Sequence, residues 1–386
     1  MRRVTVLVSE YSTESLSGEN HAVQDQIGAL SSSGYDVDVV ARKTLDGLGE
    51  VGYKTQSALR VATGVDIGSK LPPAEGPQHI LLVNNLFPNF GARILNSWQG
   101  TVVYLIHNFR SRCINGLFLR GGDVCTKCLD DGPVHGLVHR CYRDSMAASL
   151  PLVVGRLTGA SDVPLRVADA VVVQTETAQS VFERELHDPG KLHLVPGFVT
   201  SGQFQADGVS DPSREWLFVG RLTKEKGLRE LLSIWPSSES LDVIGDGPEK
   251  DQLKPELIPG LSMLGEMSRH DVRELMPLYR GLVFPGVAWE GAHPLVLREA
   301  WAAGLPVVAA EGSSASSVIR TFGGGATFVM EDAGSLAAAL NQVRHSAELR
   351  HEARELASTV FSENRWIGQM EDVFQEAVAR REETKP

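Results

Sequence analysis

The chain has 386 residues, of which 42% are hydrophobic and 22% charged, and its formal net charge is −11. That length exceeds one comfortable hydrophobic core, so two domains are expected, and the composition excludes fibrous and disordered classes. Divided after Phe198, the first part holds 18 Lys and Arg against 20 Asp and Glu, the second 19 against 28, so neither is the basic module a nucleic-acid binder shows.

No apolar run approaches the length of a membrane span. The opening MRRVTVLVSEYS has too short an apolar stretch for a secretory leader and reads as a first strand. The cytoplasm is the expected location, with contact at the inner membrane surface left open. Residues 4–9 form a continuous apolar run, as expected where both faces of a strand are covered. A polar loop bearing Gly18 follows, then a helix over 22–30 that Gly34 stops, then the alternating strand YDVDVVA. This is the β-loop-α-β opening of a doubly wound domain, whose ligands lie at the carboxyl ends of the strands. SLSGENH lacks the glycine triplet of a dinucleotide fingerprint, so a nicotinamide cofactor is not favoured.

Further strands are predicted at 79–83, 101–106 and 170–174, and a short one within 191–199. Thr175 has the position of an N-cap for a helix holding Val181 and Phe182. The stretch TSGQFQADGVSDPSRE has linker composition, which sets a first domain at 1–199, a linker at 200–214 and a second domain at 215–361. The second half repeats the alternation: WLFVGR, LDVIG and LSMLG as strands, LRELLSIW and SRHDVRELMPLY as helices. In FPGVAWEGAHPLVLREAWAAGLPVVAA a small-residue loop leads to a helix opened by His293-Pro294 and closed at Gly304, then to a strand. Leu295 and Glu299 are four apart, so Glu299 is expected as an exposed acid on the face looking back toward the loop. Helices are predicted over 333–350 and 352–358, and a long amphipathic one over 362–380 that crosses back to the first domain.

FVGRLTKEKG puts Arg221 at the end of a strand and Lys226 five residues on. An arginine that grips two oxygens and a mobile lysine form a reasonable pair for a diphosphate, although LTKEK is also an ordinary surface sequence. Loop amides at a helix start favour phosphates, and a carboxylate one turn behind favours sugar hydroxyls.

Taken together, GRLTKEKG, IGDGPEKDQL, LGEMSRHDV and PGVAWEGAHPLVLREAWAAGLPVVA occur in the order seen in the C-terminal domain of family-4 retaining glycosyltransferases of the GT-B fold, which this chain resembles over residues 215–345. NNLFPNF and IHNFRSRCINGLFLRGGDVCTKCL resemble a subgroup of that family. The resemblance implies an α/β architecture of two Rossmann-like domains facing a cleft. It implies transfer of a sugar from a UDP- or GDP-linked donor to a hydroxyl acceptor, small, glycan or lipid-linked, with retention and with no cofactor needed for catalysis. It assigns Arg221 and Lys226 to the donor diphosphate and Glu299 to the ribose. Amides at His293, Pro294 and Leu295 would hold diphosphate and sugar, and Leu264, Gly265 and Met267 would line the base. Gly18 would approach the phosphates from the first domain, and His107 with Asn108 would reach the sugar or acceptor. The family's E-x7-E element is altered, because Gly291 stands eight residues before Glu299 and the nearest acid is Glu290. Either an inserted residue lets Glu290 bulge into the catalytic role, the reading favoured here, or the role is lost. The competing expectations are an epimerase or phosphorylase on the same scaffold, and a non-catalytic zinc-knuckle adaptor.

All four cysteines, Cys113, Cys125, Cys128 and Cys141, fall within 29 residues. A C-x2-C flanked by one cysteine on each side meets the donor count of a structural zinc site, with His135 and His139 as alternative ligands. Disulfides and free thiols are the other possibilities, the former disfavoured in the cytoplasm. The insert looks too poor in apolar residues to bury a core, so a structural Zn2+ is expected. Arg110, Arg112, Arg120, Arg140 and Arg143 in and around it are candidates to meet an anionic or lipid-linked acceptor, or to form a solvated face. Oligomeric state is not legible.

Overall fold

The apolar runs of the sequence assemble into two parallel sheets. In the computed structural model residues 2–10, 18–44, 49–66, 68, 70–203, 212–253, 258–286, 289 and 291–383 are described. The first half supplies β1 (Arg3–Glu10), β2 (Asp36–Lys43), β3 (His79–Asn85), β4 (Thr101–Leu105), the small ribbon β5 (Leu119–Arg120) and β6 (Asp123–Val124), β7 (Ala170–Val173) and β8 (Leu192–Leu194). The second supplies β9 (Arg214–Val219), β10 (Leu241–Ile244), β11 (Leu261–Gly265), β12 (Tyr279–Phe284), β13 (Val307–Ala310) and β14 (Gly325–Phe328).

The sheets run β2-β1-β3-β4-β7-β8 and β11-β10-β9-β12-β13-β14, and all their pairings are parallel. In each, the first strand in the chain pairs with the second on one side and a later strand on the other, which opens a crevice at its carboxyl end. Every residue of β3, β7 and β13 is buried, because helices cover both faces of a parallel sheet.

The chain crosses between the domains at Val199, and the return crossing lies beside it. The Val199 N–H donates to the Phe361 carbonyl at 2.8 Å, and Val199 bridges in parallel to Ser362. The helix Glu363–Glu383 then packs Trp366, Met370, Val373, Phe374, Ala377 and Val378 with Val4, Val6, Leu105 and Val172 of the first sheet. The 3–4-residue spacing of those side chains is the amphipathic stripe visible in the sequence. Among the described residues no helix is long and apolar enough to cross a membrane.

Three helices, Glu50–Thr63, Met146–Leu157 and Ser314–Phe322, were not among the predicted elements. Met146–Leu157 starts where the Ser145 hydroxyl accepts from the Ala148 N–H and carries Pro151 inside. It gives the cysteine-rich insert, which has too few apolar residues to bury a core by itself, an apolar partner from outside. Ile114, Cys128, Leu152 and Val153 form a small buried cluster edged by Leu137, Cys141, Tyr142 and Phe87. All four cysteines are free thiols. Among the described residues no group of three or more His, Cys, Asp or Glu converges to hold a metal, so the geometry gives the zinc expectation no support. Burial pushes the Cys141 thiol up to about 11, with the other three cysteines raising it further, and burial raises the Cys128 thiol as well. A thiol packs as a small hydrophobe, as Cys128 does in this cluster and Cys113 in the neighbouring core of the first domain.

Tight packing in this cluster is measurable. A Cβ on Gly136 would lie 2.2 Å from the Ile114 side chain. Gly136→Ala should therefore overpack the insert at a cost of about 1–3 kcal/mol, seen as a fall in Tm of roughly 2–4 °C per kcal/mol. An unchanged melting curve would show that the insert is loosely packed.

Candidate active site

The carboxyl ends of both sheets face one cleft of 740 Å³, within the range of small-molecule sites. From the first domain Gly18, His107, Asn108 and Gln174 line it; from the second, Arg221, Lys226, Met267, His293, Pro294, Leu295 and Glu299. The predicted diphosphate pair and ribose acid thus share one cavity. Leu264 and Gly265 are not among the lining residues; Leu264 packs against the second core while Glu266, Met267 and Ser268 face the cleft. Glu290 lies outside the described residues.

Arg221 is exposed at the end of β9, and Lys226 ends the 3-10 turn Lys224–Lys226, its Nζ 5.9 Å from the centre of the Phe284 ring. Proline at 294 starts the helix Leu295–Ala302 as the sequence indicates, and Gly304 closes it in the left-handed conformation (φ 67°). Gly291 has a steric reason. A Cβ there would come within 2.7 Å of the His107 carbonyl carbon and 2.8 Å of the Asn108 nitrogen. The two domains touch backbone to backbone at this point, which leaves no room at position 291 for the glutamate of the E-x7-E pattern.

Glu299 is only 8% exposed, a correction to the exposed acid expected. Its Oε1 accepts from Arg269 Nε at 2.5 Å and from Arg273 Nε and Nη2 at 3.0 and 2.9 Å. Arg269 and Arg273 are four apart on the helix Arg269–Leu275, whose N-cap is Ser268, so both reach the same carboxylate. Arg269 also donates from Nη1 and Nη2 to Asp25 of the first domain at 3.1 and 2.7 Å. One guanidinium therefore joins Glu299 to the opposite domain.

His107 does not have the chemistry of a base. Its Nε2 bonds Asn84 Oδ1 at 2.7 Å and its Nδ1 lies 3.3 Å from Gln174 Nε2. The amide nitrogen can only donate, so Nδ1 accepts and Nε2 carries the proton. Burial and then Arg298 hold its pKa down at about 3. His293 is likewise kept neutral, down at about 3 by burial and Arg298; it packs edge-on against Phe361, with the Gln174 backbone as its polar neighbour. Arg298 is buried and donates to the Phe198 carbonyl at the interdomain crossing.

Several functional positions escaped the sequence reading. Arg269 and Arg273 were detectable as an i,i+4 pair after a capping serine. Trp289 was not, since its partner is the Phe118 ring of the insert, 5.4 Å away. Gly116 and Leu117 of the insert also reach the cleft. Glu19, beside Gly18 in the first helical turn, has no sequence signal beyond that of an acid at a helix start. It lines the cleft instead, with Asn108 Nδ2 at 3.5 Å from Oε2 and a buried Oε1 that has no partner. Burial raises its pKa to about 7, against the opposing pull of Arg110 and the hydrogen bonds from Asn108 and Asn85.

Comparison with known proteins follows this geometry. Residues 202–359 match the family model described as Glycosyl transferases group 1. A Streptomyces coelicolor protein named exopolysaccharide phosphotransferase is 27% identical over 255 residues, 60% of this chain; the chain spans about a quarter of that relative, 26% of its length. Among solved structures, Thermosynechococcus elongatus sucrose-phosphate synthase superposes with a TM-score of 0.66 at 16% identity, covering 98% of this chain and 100% of that one. Anabaena HepE, solved with UDP and glucose, superposes with a TM-score of 0.64 at 15% identity, covering 97% and 99%.

The Glu19 carboxyl makes the site pH-sensitive. A folded-state pKa above the unfolded 4.5 means the native chain binds the extra proton, so stability falls as pH rises from about 4.5 to about 7 and is level above that. Thermal melts should show this decline in the native chain and a smaller one in Glu19→Gln; parallel curves would remove the raised carboxyl. Site and comparisons meet in the later domain: residues 202–359 match the Glycosyl transferases group 1 model, within a chain that has the two-domain GT-B fold.

Proposed function

We propose that the protein is a retaining glycosyltransferase that moves a sugar from a nucleotide-diphosphate donor to a hydroxyl acceptor without a catalytic metal. The observation that supports this most directly is the convergence of Arg221, Lys226, Glu299 and the loop before Leu295 on a single interdomain cleft. A diphosphate placed there meets two cations and the N-terminus of the helix Leu295–Ala302. As the bond from the anomeric carbon to phosphate breaks, charge grows on the bridging oxygen, and cations fixed in advance lower that barrier without a metal. All three bonds to Glu299 fall on Oε1, so Oε2 is the oxygen turned over to ribose hydroxyls.

Retention is the stereochemistry this site favours. His107 is neutral with both nitrogens engaged, and Gly291 leaves no side chain under the sugar from that position. The acceptor oxygen then attacks from the face the phosphate leaves, and the departing phosphate oxygen takes the acceptor's proton. The new C–O bond forms as the old one breaks, with the configuration kept. The protein supplies position and charge.

The direct test is incubation with UDP- and GDP-linked sugars, with NMR of the product's anomeric centre in the presence and absence of a chelator. Retained configuration and unchanged rate in chelator are expected; inversion would refute the stereochemical part. Arg221→Ala and Lys226→Ala should each lower turnover on the order of a hundred- to a thousand-fold, the cost of losing one aimed donor, without changing the melt. Near-normal rates would dismiss the diphosphate assignment. Glu299→Gln should weaken nucleoside-diphosphate binding roughly tenfold or more, through loss of a charged hydrogen-bond acceptor; equal affinity by calorimetry would separate Glu299 from the ribose.

A further inference from the structure

A second cavity lies inside the first domain, behind the wall formed by His107 and Asn108, which face both it and the cleft. It is bounded by the loop after β3 (Asn84, Asn85, Leu86, Phe87), by Arg60 of the helix Glu50–Thr63, by Arg110 and Ser111, and by Ser161. Its space for water centres, 110 Å³, admits several waters or one small polar group.

The wall is unbalanced in its hydrogen bonding. Its amide acceptors are taken: Asn84 Oδ1 by His107, Asn85 Oδ1 by the Phe87 N–H at 3.0 Å, Asn108 Oδ1 by the Arg110 N–H at 3.0 Å; the Glu19 carboxyl on the far side of Asn108 also attracts Arg110. Its donors are left over. Asn84 is 3% exposed with an Nδ2 that has no partner, and in the half-buried Arg110, Ser111 and Ser161 the atoms Nε and Nη1, Oγ and Oγ are shielded from solvent and unbonded. The Arg110 guanidinium is held flat by two rings, with Phe87 at 4.3 Å and Tyr142 at 5.4 Å, so its donors are aimed before any ligand arrives. Arg60, a second buried cation on this wall, donates from Nη2 to Gln56 Oε1 at 3.0 Å and adds positive charge to the pocket. Buried donors without acceptors are costly, and an oxygen-rich anion is the group that satisfies them all.

We propose that this pocket is the anion subsite of the acceptor: it takes a carboxylate or phosphate borne by the molecule whose hydroxyl receives the sugar. The proposal rests on the transferase reading, since the shared wall of His107 and Asn108 places the anion next to the donor cleft. Glu19 lines the cleft beside this wall, with Asn108 Nδ2 3.5 Å from its Oε2.

The test uses the full chain saturated with UDP, titrated with glucuronate, inorganic phosphate and, as the neutral counterpart, glucose. Glucuronate and phosphate should bind at least tenfold more tightly than glucose. Arg110→Met should remove roughly tenfold or more of that affinity while UDP binds as before. Ser161→Ala, which deletes an unbonded hydroxyl and so should fold normally, should weaken the anions by about threefold. Sedimentation with vesicles of phosphatidylglycerol but not phosphatidylcholine, lost in Arg110→Met, would place the anion on a lipid; binding of the soluble anions alone would place it on a soluble acceptor. Equal response to glucose and glucuronate, or anion affinity indifferent to both substitutions, overturns the subsite. Failure of UDP to bind would instead defeat the donor reading, with the anion titrations still read by themselves.

Discussion

Arg269 holds a carboxylate of each domain: two of its nitrogens grip Asp25 and the third reaches Glu299. Because the guanidinium is planar and always charged, these bonds fix both an angle and a distance between the domains. The rest of the cleft depends on that constraint. It brings Gly291 against the His107 backbone, and it places Gly18 where a Cβ would be 4.0 Å from the Leu295 side chain across the gap. The same arginine, helped by Arg273, occupies one oxygen of Glu299 and so settles which oxygen a ligand meets. A group expected to stand free as a ribose acceptor is in fact one member of a buried ionic node. Such a node is sensitive to loss of any partner, since an unmatched buried charge is far costlier than the matched set is stabilising.

The polypeptide reinforces this arrangement where it crosses between domains. The outgoing chain at Val199 and the returning chain at Phe361 hydrogen-bond to each other, and Arg298 from the cleft helix donates to the Phe198 carbonyl. The C-terminal helix then completes the core of the first domain. Movement of one domain relative to the other is thereby referred to two adjacent strands of backbone, close to the helix that carries Leu295 and Glu299. The cysteine-rich insert touches the same region from the other side, through Phe118 against Trp289 and through Gly116 and Leu117 at the cleft. Cys113 and Cys128 contribute packing, and the insert's position links the first domain to the loop of the second.

Charge in the site is distributed by role. Cations gather where a diphosphate would lie, at Arg221 and Lys226, and again in the inner pocket at Arg60 and Arg110. The imidazoles between them, His107 and His293, are neutral because burial beside Arg298 disfavours the charged form. Glu19, which also faces the cleft, has its pKa raised to about 7, again through burial. The cleft thus sets cations beside imidazoles held neutral by burial.

Local pattern determined a great deal. The continuous apolar runs became β1, β3, β4, β7 and β13, because a strand covered on both faces needs no polar alternation. Thr175 and Ser268 cap helices as their spacing indicates, and the stripe from Trp366 to Val378 is legible as one apolar face. Four ordered motifs were enough to bring Arg221, Lys226 and Glu299 to one expected site. Tertiary structure decided what those groups do. Burial of Glu299, the exclusion of a side chain at Gly291, the neutral tautomer of His107 and the raised proton of Glu19 all arise from residues distant in the chain. The insert's core was hidden for the same reason, since Leu152 and Val153 join Ile114 and Cys128 only after folding. Periodicity and capping are interactions between near neighbours and are written in order along the sequence; desolvation and close approach depend on what the opposite domain brings, and that is set only when the two sheets face each other.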